Sequence, residues 1–180
     1  MRSTVLALLV CLLAPASLAA QAAPPADAPL PRHVTHLLTL ARDGFERVRG
    51  RQTRPPETLG IVTTTWYAST YAMKFRGVAA ESEIRINRGI NTVYEARLPV
   101  RDSADVRALL AAAVEGIQGV IPAGWKKEQR LAESPTLSSS VWWNECTRGG
   151  RAVSISTHRP HEESPALRLI VRLDGGPCVK

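Results

Sequence analysis

Two histidines and two glutamates stand close together between His158 and Glu163, and imidazole and carboxylate groups are common donors to zinc. His158 and His161 are three residues apart, and Glu162 follows directly. Pro160 and the charged neighbours predict a turn between strands, whereas a metal site also needs surrounding groups that hold its ligands in place. The pattern favours a solvated hairpin loop and no cofactor. A metal site on His158, His161 and Glu162 is the alternative.

The chain has three cysteines, of which Cys11 lies inside an N-terminal apolar run. If that run is removed on export, Cys146 and Cys178 remain as an even pair in an oxidising compartment. A disulfide between them is predicted to tie the C-terminal tail to the end of the strand that carries Trp142. The competing interpretation makes Cys146 a nucleophile with His158 as its base, but a remaining partner cysteine argues for the disulfide.

Aromatic and basic side chains in strand-like segments form the next group of candidates. Two aromatic pairs are adjacent in the chain, at positions 66–67 and 142–143, and neighbouring residues of a strand point to opposite faces. One ring of each pair should therefore pack in the core, while the other reaches an open face or an edge. Together with arginines at alternating positions, they are candidates for a binding surface: Trp66, Trp142, Trp143, Arg85, Arg97, Arg168 and Arg172.

Familiar catalytic signatures are missing from the sequence, which has no phosphate-binding glycine loop, no HExxH and no GxSxG. Glutamates such as Glu83 and Glu95 alternate with apolar residues and should face solvent, which argues against paired carboxylates for glycoside cleavage. The sequence therefore favours a non-enzymatic module that binds a protein or an acidic envelope polymer. The alternative is a small secreted hydrolase or metal-dependent enzyme that uses the segment from His158 to Glu163.

The formal net charge is +7, from 23 Lys and Arg against 16 Asp and Glu. The basic residues are scattered and form no stripe with interleaved aromatics, so the sequence predicts no specific nucleic-acid groove. Two further histidines, His33 and His36, lie three residues apart at the start of a predicted helix. Because Val34 and Leu37 take its apolar side, both histidines are predicted to be exposed.

Two amphipathic helices are predicted from apolar residues at helical spacing. The first covers residues 31–49, with Pro31 in its first turn and Gly50 just past its end. The second opens near Asp102 and ends at the Pro122 turn, and Trp125 is predicted to plug its end against the sheet. Between the first helix and the first strand, residues 51–58 are predicted to form a polar loop.

Three strand-like segments follow each helix, and each segment is bounded by Gly, Pro or polar turns. They are residues 61–75, 83–86 and 94–98 after the first helix, and 137–145, 151–157 and 167–173 after the second. Residues 87–91 predict a hairpin turn. The two halves also resemble each other, because one helix stripe aligns with the other at a constant offset. The aligned residues are Val34, Leu37, Leu38, Ala41, Gly44, Phe45 and Val48 with Val106, Leu109, Leu110, Ala113, Gly116, Ile117 and Val120.

The predicted fold class is therefore α+β with two layers, in which a duplicated αβββ unit builds an antiparallel sheet covered on one face by two helices. The predicted halves are residues 31–99 and 100–180, within a single domain. The other sheet face, rich in Thr, Ser, Arg and Tyr, stays open to solvent.

Residues 1–22 have the order of a secretory signal, with Arg2, an apolar run and then small residues suited to cleavage. Residues 23–30 follow as a flexible leader. The apolar run is too short to span a bilayer, and no transmembrane segment is predicted in the mature chain. These features predict a periplasmic or secreted protein.

Overall fold

The computed structural model describes residues 22–100, 105–131, 138–147, 149–158 and 165–174. Residues 1–21 of the predicted signal lie outside this part of the chain, so cleavage stays a prediction. The helices of the described residues are α1 (Leu30–Leu40) and α2 (Val106–Gln118). The strands are β1 (Arg49–Leu59), β2 (Val62–Ser69), β3 (Lys74–Phe75), β4 (Val78–Ala79), β5 (Glu81–Asn87), β6 (Asn91–Pro99), β7 (Lys126–Arg130), β8 (Ser140–Asn144), β9 (Arg151–His158) and β10 (Ala166–Asp174).

Within the described residues, eight strands form one antiparallel sheet in the order β1-β2-β5-β6-β10-β9-β8-β7. The first four strands of this order precede α2 in the chain, and the last four follow it. Strands β6 and β10 pair along their whole length and join the two groups at the centre. The protein is thus α+β with a large antiparallel sheet and two helices, and β3 pairs with β4 in a separate small sheet.

One hydrophobic core contains residues from both helices and from the sheet. Helix α1 contributes Leu37 and α2 contributes Ile117, each fully buried. The sheet contributes apolar residues at alternate positions of its strands, such as Leu167, Leu169 and Val171 of β10, because alternation sends them to one face. Most apolar positions predicted from helical spacing are therefore core positions, and Val48, Leu109, Val114 and Val120 are partly buried against that core.

Helix α1 is shorter than predicted, since it ends at Leu40 and two 3₁₀ turns, Ala41–Asp43 and Glu46–Val48, follow. Gly44 and Phe45 interrupt it with positive φ angles of 65° and 63°. A left-handed backbone is unfavourable for Phe45. Its ring is fully buried with its centroid 5.8 Å from that of Tyr94, and burial of this size offsets the backbone cost.

Two strands of the large sheet were not predicted from the sequence. Each half contributes four strands to this sheet, so the prediction of three strands per half is wrong. Residues 51–58, predicted to be a loop, belong to β1, and β7 follows the predicted plug Trp125. Both are edge strands with almost wholly exposed side chains, so they carry no apolar alternation. Backbone pairing to β2 and β8 forms them, and an edge position tolerates the two prolines of β1.

Candidate ligand-binding face of the sheet

The strand register brings the four predicted arginines together on one face. Arg85 of β5 and Arg172 of β10 both lie opposite Val93 of β6. Arg97 of β6 lies opposite Arg168 of β10. Residues paired across strands share a face, and every second residue of a strand returns to it, so these four side chains occupy one surface.

Two of the three candidate tryptophans lie on the same surface. Trp66 is opposite Arg85, and Trp142 is opposite Ser154, which in turn is opposite Ile170 of β10. Ile170 alternates with the β10 arginines and therefore shares their face. We call this surface the open face, meaning the sheet face opposite the core that carries Trp66, Trp142, Arg85, Arg97, Arg168 and Arg172.

Trp143 is the candidate that lies elsewhere. It is opposite Val153 on the core face and is fully buried. Its indole N–H donates to the side-chain oxygen of Gln118 on α2 at 2.8 Å, which satisfies the polar edge of the buried ring. Trp143 therefore belongs to the core and not to the predicted binding surface.

The two open-face tryptophans differ in access. The guanidinium of Arg54 lies 4.2 Å from the ring centroid of Trp66, and Trp66 is only 8% exposed. Arg54 is itself held by Glu83, at 3.2 Å between Nη2 and Oε2. Trp142 is partly exposed, and its indole N–H donates to the carboxylate of Glu128 at 3.1 Å. Trp142 is therefore the ring that a ligand can reach directly.

Glu95 organises the arginines at the centre of the open face. Its carboxylate accepts a hydrogen bond from Arg168 and lies 3.7 Å from Arg85. The Glu95 side chain is 18% exposed, so this ion-pair network is partly shielded from water. Two guanidinium groups on one carboxylate leave net positive charge there, which suits an acidic ligand.

Two depressions lie on this face. One has a volume of about 450 Å³ and is lined mainly by charged residues of β1, β5 and β6, including Arg54, Glu83 and Arg97. The other has a volume of about 290 Å³ and lies over β8, β9 and β10, next to Trp142 and Arg172. Both lie over hydrogen-bonded strands of the eight-stranded sheet, although the pairing of β1 with β2 under the larger one is irregular.

Only some of the residues of the predicted disulfide and of the alternative metal site belong to the part of the chain that the structure describes. Cys146 follows β8 with a positive φ of 56°, and Cys178 lies outside the described residues. His158 ends β9, whereas His161 and Glu162 lie outside the described residues. Among the residues that the structure describes, no three His, Cys, Asp or Glu side chains are grouped as metal ligands. The disulfide and the alternative metal site stay predictions.

A buried polar cluster beneath α1 was missed by the sequence analysis. His33, predicted to be exposed, is fully buried, and its Nδ1 lies 2.7 Å from the hydroxyl of Tyr71. His36 is partly buried and stacks on Tyr71 with ring centroids 5.5 Å apart. Tyr94 meets Tyr71 edge to face at 6.1 Å. The prediction for His33 fails because Tyr71, from the loop after β2, covers the helix on its polar side.

Burial shifts the acid–base behaviour of this cluster. Desolvation lowers the pKa of His33 below its ordinary value, while the nearby backbone of Ala26 and Ala28 acts in the opposite direction. Desolvation likewise lowers the pKa of His36. It raises the pKa of Tyr94 to about 12 and that of Tyr71 further still. Near neutral pH, all four side chains of the cluster are therefore uncharged.

Because His33 is buried and His36 is partly buried in this cluster, we expect the free energy of unfolding to decrease in acid. Below a pH of about 6.5 the unfolded chain binds protons at His33 and His36 that the folded protein binds less readily, so the free energy of unfolding decreases. Above that pH both states carry neutral imidazoles and the contribution is fully present. The loss is at most about 1.4 kcal/mol per pH unit for each histidine.

Urea unfolding of the parent protein and of His33→Gln, at several pH values between neutral and mildly acidic, measures this effect. The variant should show a smaller loss of stability on acidification. Thr35→Gln, at an exposed position of α1, is the matched control and should keep the full loss. A His33→Gln protein as sensitive to acid as its parent would contradict the assignment.

No family model, curated protein or solved structure matches this chain. In the described part of the chain, neither helix is long and apolar enough to cross a membrane. The function must therefore be inferred from the surface chemistry itself.

Proposed function

We propose that this chain is an exported, non-enzymatic binding module whose open face binds an acidic partner, either a polymer or a protein, in the periplasm or outside the cell. The observation that carries the proposal is the convergence of four arginines and an accessible tryptophan on one continuous sheet surface. Arginine and tryptophan are the side chains that most often dominate binding energy at interfaces.

The central carboxylates support binding over catalysis. Glu83 accepts from Arg54, and Glu95 accepts from Arg168 while lying close to Arg85. A carboxylate engaged in this way holds guanidinium groups in position, whereas a general acid or nucleophile must be available to the substrate. The same contacts reduce the entropy that the arginines lose when a ligand binds, which favours recognition.

We further propose that the fold arose from a duplicated unit of one helix and a run of strands, with both helices on one face of the joined sheet. The mirrored strand order about β6 and β10 supports this, as does the shared core of α1 and α2. The aligned glycines do not strengthen it. Gly44 adopts φ 65° in a turn, whereas Gly116 lies inside α2 against Pro31.

The proposed export would bring the module into a compartment that contains acidic partners. A signal over residues 1–22 and a disulfide between Cys146 and Cys178 would together place the module in an oxidising compartment. Acidic polymers of a cell envelope and acidic surfaces of secreted proteins are both encountered there.

Charge reversal tests the proposal. We expect Arg168→Glu with Arg172→Glu to weaken binding of the partner recovered from envelope extract by at least about tenfold, because two attractive charges become repulsive ones. The control, Arg32→Glu with Arg107→Glu, makes the same change in net charge at exposed helix positions and should bind normally. Binding is measured by titration against the purified partner at two salt concentrations, since an ionic contact weakens with salt.

Two outcomes would count against the proposal. One is an extract from which the parent protein recovers nothing, and the other is equal binding by parent and reversed variant. A stoichiometric metal ion in the purified protein, lost in His158→Ala with His161→Ala, would instead favour the alternative of a metal-dependent enzyme.

A further inference from the structure

The smaller depression of the open face has a simple structural cause. Strand β9 presents three small residues to this face, Ala152, Ser154 and Ser156. Larger side chains of β10 lie along one side of them, and Trp142 and Asn144 of β8 lie along the other side as far as Ser140. Trp142 stands on one side of Ser154 and Ile170 on the other. This row of small residues beside the larger side chains makes a trough along β9, with a volume of about 290 Å³.

The lining of this trough combines one flat ring with several hydroxyl groups. Ser140, Ser154 and Ser156 offer hydroxyls that both donate and accept hydrogen bonds, and Asn144 adds an amide. The indole of Trp142 is held by Glu128, so its orientation does not have to be selected on binding. Such a set matches a pyranose ring, which has hydroxyls at its edge and an apolar C–H face that packs on an aromatic ring.

The charges around the trough restrict the ligand further. Arg172 lines it, and Arg168 lies four residues earlier on the same face of β10, so a negative group on the ligand has guanidinium partners. Glutamates are interspersed on the same face, with Glu95 opposite Ile170 and Glu128 opposite Trp142. A polyanion with a charge on every unit would meet these carboxylates, whereas one with widely spaced charges avoids them.

We propose that the trough over β9 binds one pyranose ring of an acidic polysaccharide, with the ring on Trp142, its hydroxyls at the serines and a carboxylate at Arg172. This inference rests on the proposed function, because it names the ligand class of the open face. The volume of the trough is near the lower limit of ligand pockets, which suits one sugar ring of a longer chain. Flanking rings extend towards the arginines at the centre of the sheet.

Titration calorimetry with the full-length mature protein tests this inference. Hyaluronan oligosaccharides are the probe, since they carry one carboxylate per two sugars, and polyglutamate and dextran are the comparison polymers. We expect hyaluronan to bind at least about tenfold more tightly than either polymer, with a dissociation constant below about 1 mM. We expect Trp142→Ala to weaken that binding by at least about tenfold.

A variant that fills the trough tests the position of the sugar site more specifically. Ser154→Leu adds bulk on the trough floor without removing any charge, and it should weaken hyaluronan binding by at least about tenfold. Thr58→Leu makes a similar addition at an exposed position of edge strand β1 and should leave binding unchanged. Circular dichroism of each variant confirms that it folds.

The outcomes separate this inference from the proposed function. Hyaluronan binding that ignores Ser154→Leu and Trp142→Ala overturns the sugar site, and so does polyglutamate binding as tight as hyaluronan binding. If Arg168→Glu with Arg172→Glu still abolishes that binding, the open face remains the binding surface. If the parent protein does not bind hyaluronan, the inference is overturned. A protein partner recovered from extract would then be the acidic ligand of the open face under the proposed function.

Discussion

Replacing Trp143 with alanine is expected to lower the free energy of unfolding by about 3–5 kcal/mol, the range for deleting a large aromatic side chain from a core. Its ring is fully buried, and its loss would also leave Gln118 without the indole donor. Replacing the adjacent Trp142 is expected to cost about 1 kcal/mol, because that ring is partly exposed and loses mainly its hydrogen bond to Glu128.

Urea denaturation of the two single variants measures this difference directly. The pair is a matched control, since the same residue type is removed at neighbouring positions of one strand. Only the face on which each ring lies distinguishes them. Similar destabilisation by both variants would mean that the register of β8 is not the one described.

Removing the predicted disulfide is expected to have the second large effect. A bond between Cys146 and Cys178 closes a loop of 32 residues, for which the chain-entropy estimate of stabilisation is about 3.5 to 4 kcal/mol. Cys146→Ser with Cys178→Ser should lose about that much stability, because the unfolded chain regains its freedom while the core contacts stay. The parent protein treated with a reducing agent should lose the same amount.

Mass spectrometry of peptides from the unreduced mature protein identifies the bonded pair. A peptide that joins positions 146 and 178 is the expected product. Two free thiols in protein isolated from its native compartment would contradict the bond, and equal stability before and after reduction would contradict its energetic role. Either result would weaken the proposal that the chain is exported.

The residues of the open face were predictable from alternation, except that Trp143 lies in the core, but their arrangement was not predictable. Alternation along β10 indicated that Arg168 and Arg172 share a face opposite Leu169 and Val171, and those leucine and valine side chains are fully buried. That Glu95 would lie against Arg168 depends on the pairing of β6 with β10, residues far apart in the chain. No local pattern specifies such a register.

The assignment of Trp66 and Trp142 shows the same limit. The sequence indicated that adjacent aromatic residues divide between the two faces of a strand. It did not indicate that Arg54 would cover Trp66, because Arg54 was predicted to lie in a loop and belongs to edge strand β1. The accessible ring could therefore be chosen only after β1 was placed beside β2.

The amino-acid sequence by itself determined the α+β class, the apolar stripes of both helices and the core face of β10, because burial periodicity is a local property. Only the tertiary structure decided the edge strands, the burial of His33 and the trough over β9. Each of these depends on backbone pairing or side-chain contact between distant segments: β1 and β7 form on neighbouring strands, Tyr71 covers α1, and Trp142 and Ile170 enclose Ser154.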